Sequence, residues 1–120
     1  MKYTEYEEQC KVVEYLRKVH PDVLFTASIA GHVKMTIPQW KRAVKAGYTK
    51  GTPDLMIFHD RHDGRRAVLF VEMKSPKGKA SESQMKFLNS IRSDYLDAYV
   101  CQSSETAIRC IEYYLTGVKF

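Results

Sequence analysis

No stretch of this chain approaches the roughly 18 consecutive apolar residues that a membrane-spanning helix needs. No membrane partner is therefore expected. Cysteine is scarce: Cys10, Cys101 and Cys110 are an odd number without CxxC spacing. A disulfide framework or zinc knuckle is not expected, and the thiols read as reduced, mostly buried small hydrophobes of a cytosolic protein. The charged start (Lys2, Glu5, Glu7, Glu8) carries no signal-peptide pattern, which points to the cytoplasm. Internal repeats and low-complexity tracts are absent. Acidic residues are missing from Val23 to Pro53, yet Lys34, Lys41, Arg42, Lys45 and Lys50 all lie in that window.

What is present fits one compact α/β domain over residues 1–120. Hydrophobic residues make up 44%, enough for a core and against disorder. Net charge is +5, concentrated in the window above and in a second basic group. That group comprises Arg61, Arg65, Arg66, Lys74, Lys77 and Lys79, opposed only by Asp63 and Glu72. Basic surfaces attract nucleic-acid phosphates through counterion release. A lysine-rich soluble surface explains the charge equally well, so charge alone does not choose a function.

Residues 4–19 read as an amphipathic helix. Thr4 caps it with Glu7 three positions on, Gln9, Val12, Val13, Leu16 and Val19 share a face, and Pro21 stops it. Val23 to Ile29 has the apolar, β-branched character of a strand. Pro38 opens a helix to about Ala46, with Gly47 at its C′ position. After the Gly51-Thr52-Pro53 turn, Asp54 to Phe58 is a strand. The polar loop His59 to Arg66, with its Asp63-Gly64 turn, leads to Ala67 to Met73, whose apolar run predicts a central strand. Ser81 caps a helix to about Ser93 with Gln84, Phe87, Leu88 and Ile91 inward. Ala98 to Gln102 is a strand, and Ser104 caps a last helix to about Leu115, with Ala107, Ile108, Ile111 and Leu115 on its inner face. This order predicts an α/β sandwich with a mixed sheet.

The chemistry sits at one strand end, Glu72-Met73-Lys74. Side chains alternate in a strand, so Glu72 and Lys74 share a face. Two charges on an interior face are costly unless paired or metal-bound. The tripeptide alone says little, and a surface strand end would explain it. The neighbouring strand changes that reading. Paired as a hairpin, it brings Asp54 to the same sheet end as Glu72, making an oxygen pocket for a hard divalent cation. Lys74 beside them can orient a water or stabilise phosphate charge. The plain alternative is that Asp54 only caps its turn. Glu5 extends the inner face of the first helix and can complete the metal shell. Glu8 is its competitor, and either can be a first-turn carboxylate favoured by the helix dipole. Gln84 can hold the attacking water or a phosphate oxygen, or simply bond backbone.

Glu5-x-x-x-Gln9, Gly51-Thr52-Pro53-Asp54, Glu72-Met73-Lys74 and Ser81-x-x-Gln84 occur in this order over almost the whole chain. Together they resemble the VRR-NUC family, the virus-type replication-repair nucleases of the PD-(D/E)xK superfamily. The resemblance implies a restriction-endonuclease-like fold, a central mixed β-sheet flanked by helices, and hydrolysis of DNA with Mg²⁺ or Mn²⁺. It implies Asp54, Glu72 and the Met73 backbone carbonyl as metal ligands, Lys74 as the catalytic lysine, and Glu5 and Gln84 in support. The chain departs from the pattern at Ala30-Gly31, where an Asn-Gly is common, and at Arg92 to Tyr95, which lacks the usual glycine.

Stand-alone members of this size look like viral or prophage enzymes acting in a bacterial host on branched DNA, as Holliday-junction resolvases do. Cutting two symmetric strands with one site per chain implies a C2 homodimer. Met35 to Trp40 is a stretch for its interface, although Trp40 can equally pack in its own core. Lys34, Lys41, Arg42, Lys45 and Lys50, with Lys77 and Lys79, would hold the DNA through its phosphates. Three rivals remain: a nuclease without junction selectivity, a catalytically silent DNA-binding module of the same fold, and a generic basic domain.

Overall fold

The computed structural model describes residues 4–28, 34–92 and 95–119. Helix α1 spans Glu5–Val19, and the Thr4 hydroxyl accepts from the Glu7 N–H at 3.1 Å. Strand β1 is Leu24–Ala27, shorter than the expected Val23 to Ile29, and Ile29 lies outside the described residues. Helix α2 is Ile37–Lys45, with Thr36 and Gln39 forming a reciprocal capping box. Gly47 follows with a φ of 115°, the left-handed conformation expected after the helix end.

Strands β2 (Leu55–Phe58) and β3 (Val68–Met73) form the expected hairpin, with Asp54 one residue before β2. Helix α3 is Glu82–Ile91, capped by Ser81. Strand β4 is Leu96–Cys101, starting earlier than the expected Ala98, because its parallel pairing begins with Leu96 opposite Val68. Helix α4 is Ser104–Thr116. Ser103, not Ser104, is its cap, because the Ser103 hydroxyl accepts from the Thr106 N–H.

The sheet order is β1-β2-β3-β4, with β1, β2 and β3 antiparallel and β4 parallel to β3. A parallel neighbour needs a crossover, and α3 provides it. Alternation along β3 divides the molecule. Leu69, Val71 and Met73 are fully buried in a core with Val12 and Leu16 of α1 and Ala107, Ile111 and Tyr114 of α4. Phe70 and Glu72 point the other way, where the Phe87 ring of α3 meets Phe70 at a centroid distance of 6.5 Å. Helices therefore cover both faces, and β3 is central, as expected from its apolar run. Tyr114 joins this core although the periodicity of α4 did not mark it. Cys101 is buried and Cys110 half-buried, whereas Cys10 is exposed on α1, which corrects the expectation of mostly buried thiols.

Helix α2 stands apart. It has no buried residue, and among the described residues no Cα of another helix or strand comes within 8 Å of its own. Its Ile37 and Val44 are 72% and 56% exposed.

Candidate functional site

The hairpin register sets the site. Leu55 lies opposite Val71, so one step further Asp54 comes across from Glu72. The Asp54 Oδ2 accepts from the Met73 N–H at 2.7 Å, which fixes the carboxylate against β3 just where the ladder ends. Glu72 is 2% exposed, its Oε1 accepting from Gln84 Nε2 at 2.8 Å. Its other oxygen, Oε2, is buried and accepts from no donor among the described residues. Lys74 follows on the same face, with Nζ 3.8 Å from Glu72 Oε1.

Burial pushes the Glu72 carboxyl up to about 8, and the Asp54 carboxylate beside it acts in the same direction. Lys74 opposes the shift, and Glu5 adds to it. Two carboxyl groups this close, one of them buried, form an arrangement that cannot cheaply carry both charges in an apoprotein. A hard divalent cation fits it, since the donors are oxygens and the cation would satisfy Oε2.

The expected third carboxylate is placed less directly. Among the described residues no three His, Cys, Asp or Glu side chains cluster as a metal site. Glu5 Oε1 accepts from the Ser75 N–H at 3.1 Å, just beyond Lys74, so Glu5 ties α1 to the strand end that carries the site. Glu8 goes elsewhere. Its Oε1 accepts from the N–H and hydroxyl of Ser104 at the start of α4, and its Oε2 pairs with Lys11 at 2.7 Å. The Lys11 bond, then the Ser104 N–H, hold its carboxyl below the usual range. Of the two rivals, Glu5 borders the site and Glu8 caps a helix.

Gln84 performs two tasks at once. Its Oε1 accepts from the Ser81 N–H at 2.7 Å, completing a capping box, while its amide nitrogen holds Glu72. In this arrangement Gln84 positions Glu72. Gly51 lets α3 approach. At its φ of 94° a Cβ would lie 2.4 Å from the Ser83 carbonyl oxygen, which only glycine avoids.

A cleft of about 180 Å³ opens above the carboxylates, lined among others by Trp40, Tyr48, Lys50, Asp54, Glu72 and Gln84. Ser28 of the β1 end and Ser81 and Ser83 of α3 also border it. Larger clefts of about 410 and 490 Å³, along α1 and beside α4, have no paired carboxylates among their described residues. Tyr48 was not expected here. Its hydroxyl is pushed up by burial and, against the Ser28 hydrogen bond, by the charges of Glu72 and Asp54. Its ring lies 5.5 Å from Trp40, centroid to centroid. An aromatic between Gly47 and Gly51 in a basic stretch was the only signal available in the sequence.

The expected DNA contacts Lys34, Lys41, Arg42, Lys45, Lys50, Lys77 and Lys79 are all exposed. The second basic group does not form one patch. Lys74 follows the end of β3 beside Asp54, whereas Arg61, Arg65 and Arg66 lie in the loop at the other end of the hairpin. There Arg61 pairs with Asp63 at 3.1 Å and covers the Tyr113 ring.

Comparison with known proteins agrees with this fold. A solved structure described as a VRR-NUC domain protein superposes with a TM-score of 0.74 at 19% identity, covering 95% of this chain and 89% of that one. At that identity the likeness speaks for the fold. No curated protein matches the chain. The VRR-NUC domain pattern matches residues 5–105, which takes in Glu5, Asp54, Glu72, Lys74 and Gln84. On that match, this chain belongs to the VRR-NUC domain family, a nuclease-type domain.

Proposed function

We propose that this chain is a divalent-metal-dependent endonuclease that hydrolyses phosphodiester bonds in branched DNA, in the manner of a Holliday-junction resolvase, and works as a homodimer. The observation that carries the reading is the placement of Asp54 across from Glu72, whose buried Oε2 has no donor among the described residues. Asp54, Glu72 and the Met73 carbonyl would hold Mg²⁺ or Mn²⁺, with Glu5 completing the shell from α1. Bound there, such a cation supplies Lewis acidity that activates water and neutralises phosphate oxygens.

The chain's own groups do the rest. Gln84 fixes the orientation of Glu72, and the Met73 N–H fixes Asp54. The Lys74 ammonium, close to Glu72, orients the attacking water and offsets negative charge on the phosphate. Lys50 at the cleft, with Lys34, Lys41, Arg42 and Lys45 around α2 and Lys77 and Lys79 after β3, holds the phosphate backbone. Dimerisation draws support from α2, which projects Ile37 and Val44 into solvent next to Met35.

One cleavage panel tests the reading: four-way junction, splayed arm, flap and linear duplex of matched sequence, with the mass in solution measured alongside. Cleavage with Mg²⁺ or Mn²⁺, none in EDTA, weak cleavage with Ca²⁺, and preference for the junction are expected. Asp54→Ala should bind DNA without cutting it. Equal rates on all four substrates would remove junction selectivity. No metal-dependent cleavage of any substrate would leave a silent binding module.

A further inference from the structure

The aromatic pair at the cleft is unexplained by a metal-and-phosphate site. Phosphate chemistry needs cations, donors and carboxylates, and the cleft has these in Lys50, Asp54, Glu72 and Gln84. Trp40 and Tyr48 supply neither charge nor metal ligation. Anchoring α2 to the fold does not account for Trp40 either. That helix buries no residue, among the described residues no Cα of another helix or strand comes within 8 Å of its own, and Trp40 itself is only half-buried. Among the described residues the indole's ring contact runs to Tyr48, at 5.5 Å between centroids with the planes tilted by 56°. Both rings face a space of about 180 Å³, far below the roughly 300–1,000 Å³ of a drug-sized ligand site.

Such a space beside carboxylates and a lysine suits one flat heterocycle whose phosphate continues toward the metal site. Every nucleobase has a π-face, and proteins that handle unpaired nucleotides stack them on aromatic rings beside cationic groups. We propose that Trp40 and Tyr48 form a stacking platform for one unpaired nucleobase next to the scissile phosphate. The selected substrate is then DNA with an unpaired nucleotide at the cut. A base inside a continuous duplex reaches the platform only by paying a few kcal/mol to leave its stack, and at a branch point that cost is least. This inference rests on the nuclease reading and specifies its substrate.

Trp40 is the chain's single tryptophan, so its fluorescence reports the platform directly. Wild-type protein in EDTA is titrated with three DNAs: a splayed arm, the same arm with abasic sites at its unpaired positions, and a blunt duplex. Binding is followed separately by anisotropy of a label on the DNA. The splayed arm should quench Trp40 strongly, and the abasic arm and blunt duplex should bind with little quenching. Trp40→Leu should lose roughly five- to a hundredfold in affinity for the splayed arm and little for the duplex. Equal quenching at saturation by all three DNAs would overturn the platform. The abasic comparison uses unaltered protein, so misfolding of the variant cannot decide the outcome. Cleavage with Mg²⁺ is scored independently. Cutting without base-dependent quenching would refute the platform and leave the nuclease, and quenching without cutting would support the platform and refute the nuclease.

Discussion

At Glu72 the folded chain holds a proton that the unfolded chain releases. Its carboxyl is raised from 4.5 to about 8, chiefly by burial and then by Asp54. Between those limits the native state binds more protons at this group than the unfolded state, so its contribution to stability is full below about 4.5 and is lost as pH rises through about 8. Glu72→Gln keeps the shape and removes the titration. In EDTA, urea unfolding should find the variant more stable than wild type at pH 8, with the gap closing toward pH 5. A gap independent of pH would mean that Glu72 is charged throughout. The pairing of Asp54 with Glu72 was legible in the sequence because strand alternation and a short hairpin leave little freedom. The place of Tyr48 was not, because it depends on how the chain folds back between α2 and β2.

Among the elements, α3 and α4 owe their positions to side chains outside themselves. Gly51 admits the first turn of α3, and a methyl group there would strike the Ser83 carbonyl in a left-handed backbone. Gly51→Ala should cost about 1–3 kcal/mol in urea unfolding. It should also weaken Mn²⁺ binding, because Gln84 would no longer hold Glu72. Stability unchanged within error would mean that α3 can shift freely. Glu8 serves α4 by accepting from Ser104. Glu8→Ala should cost about 1–3 kcal/mol by leaving the half-buried N–H unsatisfied, with Mn²⁺ affinity unchanged. A large loss of Mn²⁺ affinity would return Glu8 to the metal shell. The order of elements was readable from periodicity and caps, since Pro38, Gly47 and Ser81 act locally. The start of β4 and the cap of α4 were not. The first is set by pairing with β3, and the second by which of two adjacent serines turns its hydroxyl back onto the helix.

For the whole molecule, placement of charge matters more than its sum. Lys50 of the acid-free window lines the cleft, and Lys41, Arg42 and Lys45 lie on α2, whose Trp40 borders it, whereas Arg65 and Arg66 lie in the loop at the far end of the hairpin. Lys41→Ala and Arg42→Ala should each reduce the salt slope of DNA binding by about one, and Arg65→Ala should leave it unchanged. The reverse pattern would place the DNA at the other end of the sheet. Sequence alone grouped the arginines with Lys74 because they are neighbours along the chain, and the hairpin separates them by the length of its strands. The helix–sheet–helix layering was legible in the same sequence, because β3 is apolar enough to need cover on both faces. The most direct test of the account is a Mn²⁺ titration of the protein and its variants, followed by electron paramagnetic resonance of the free ion. Saturable binding should be present in wild type and in Lys74→Ala, which should lose most of its turnover, and absent from Asp54→Asn and Glu72→Gln. Binding that survives both carboxylate substitutions would contradict a cation shared by Asp54 and Glu72.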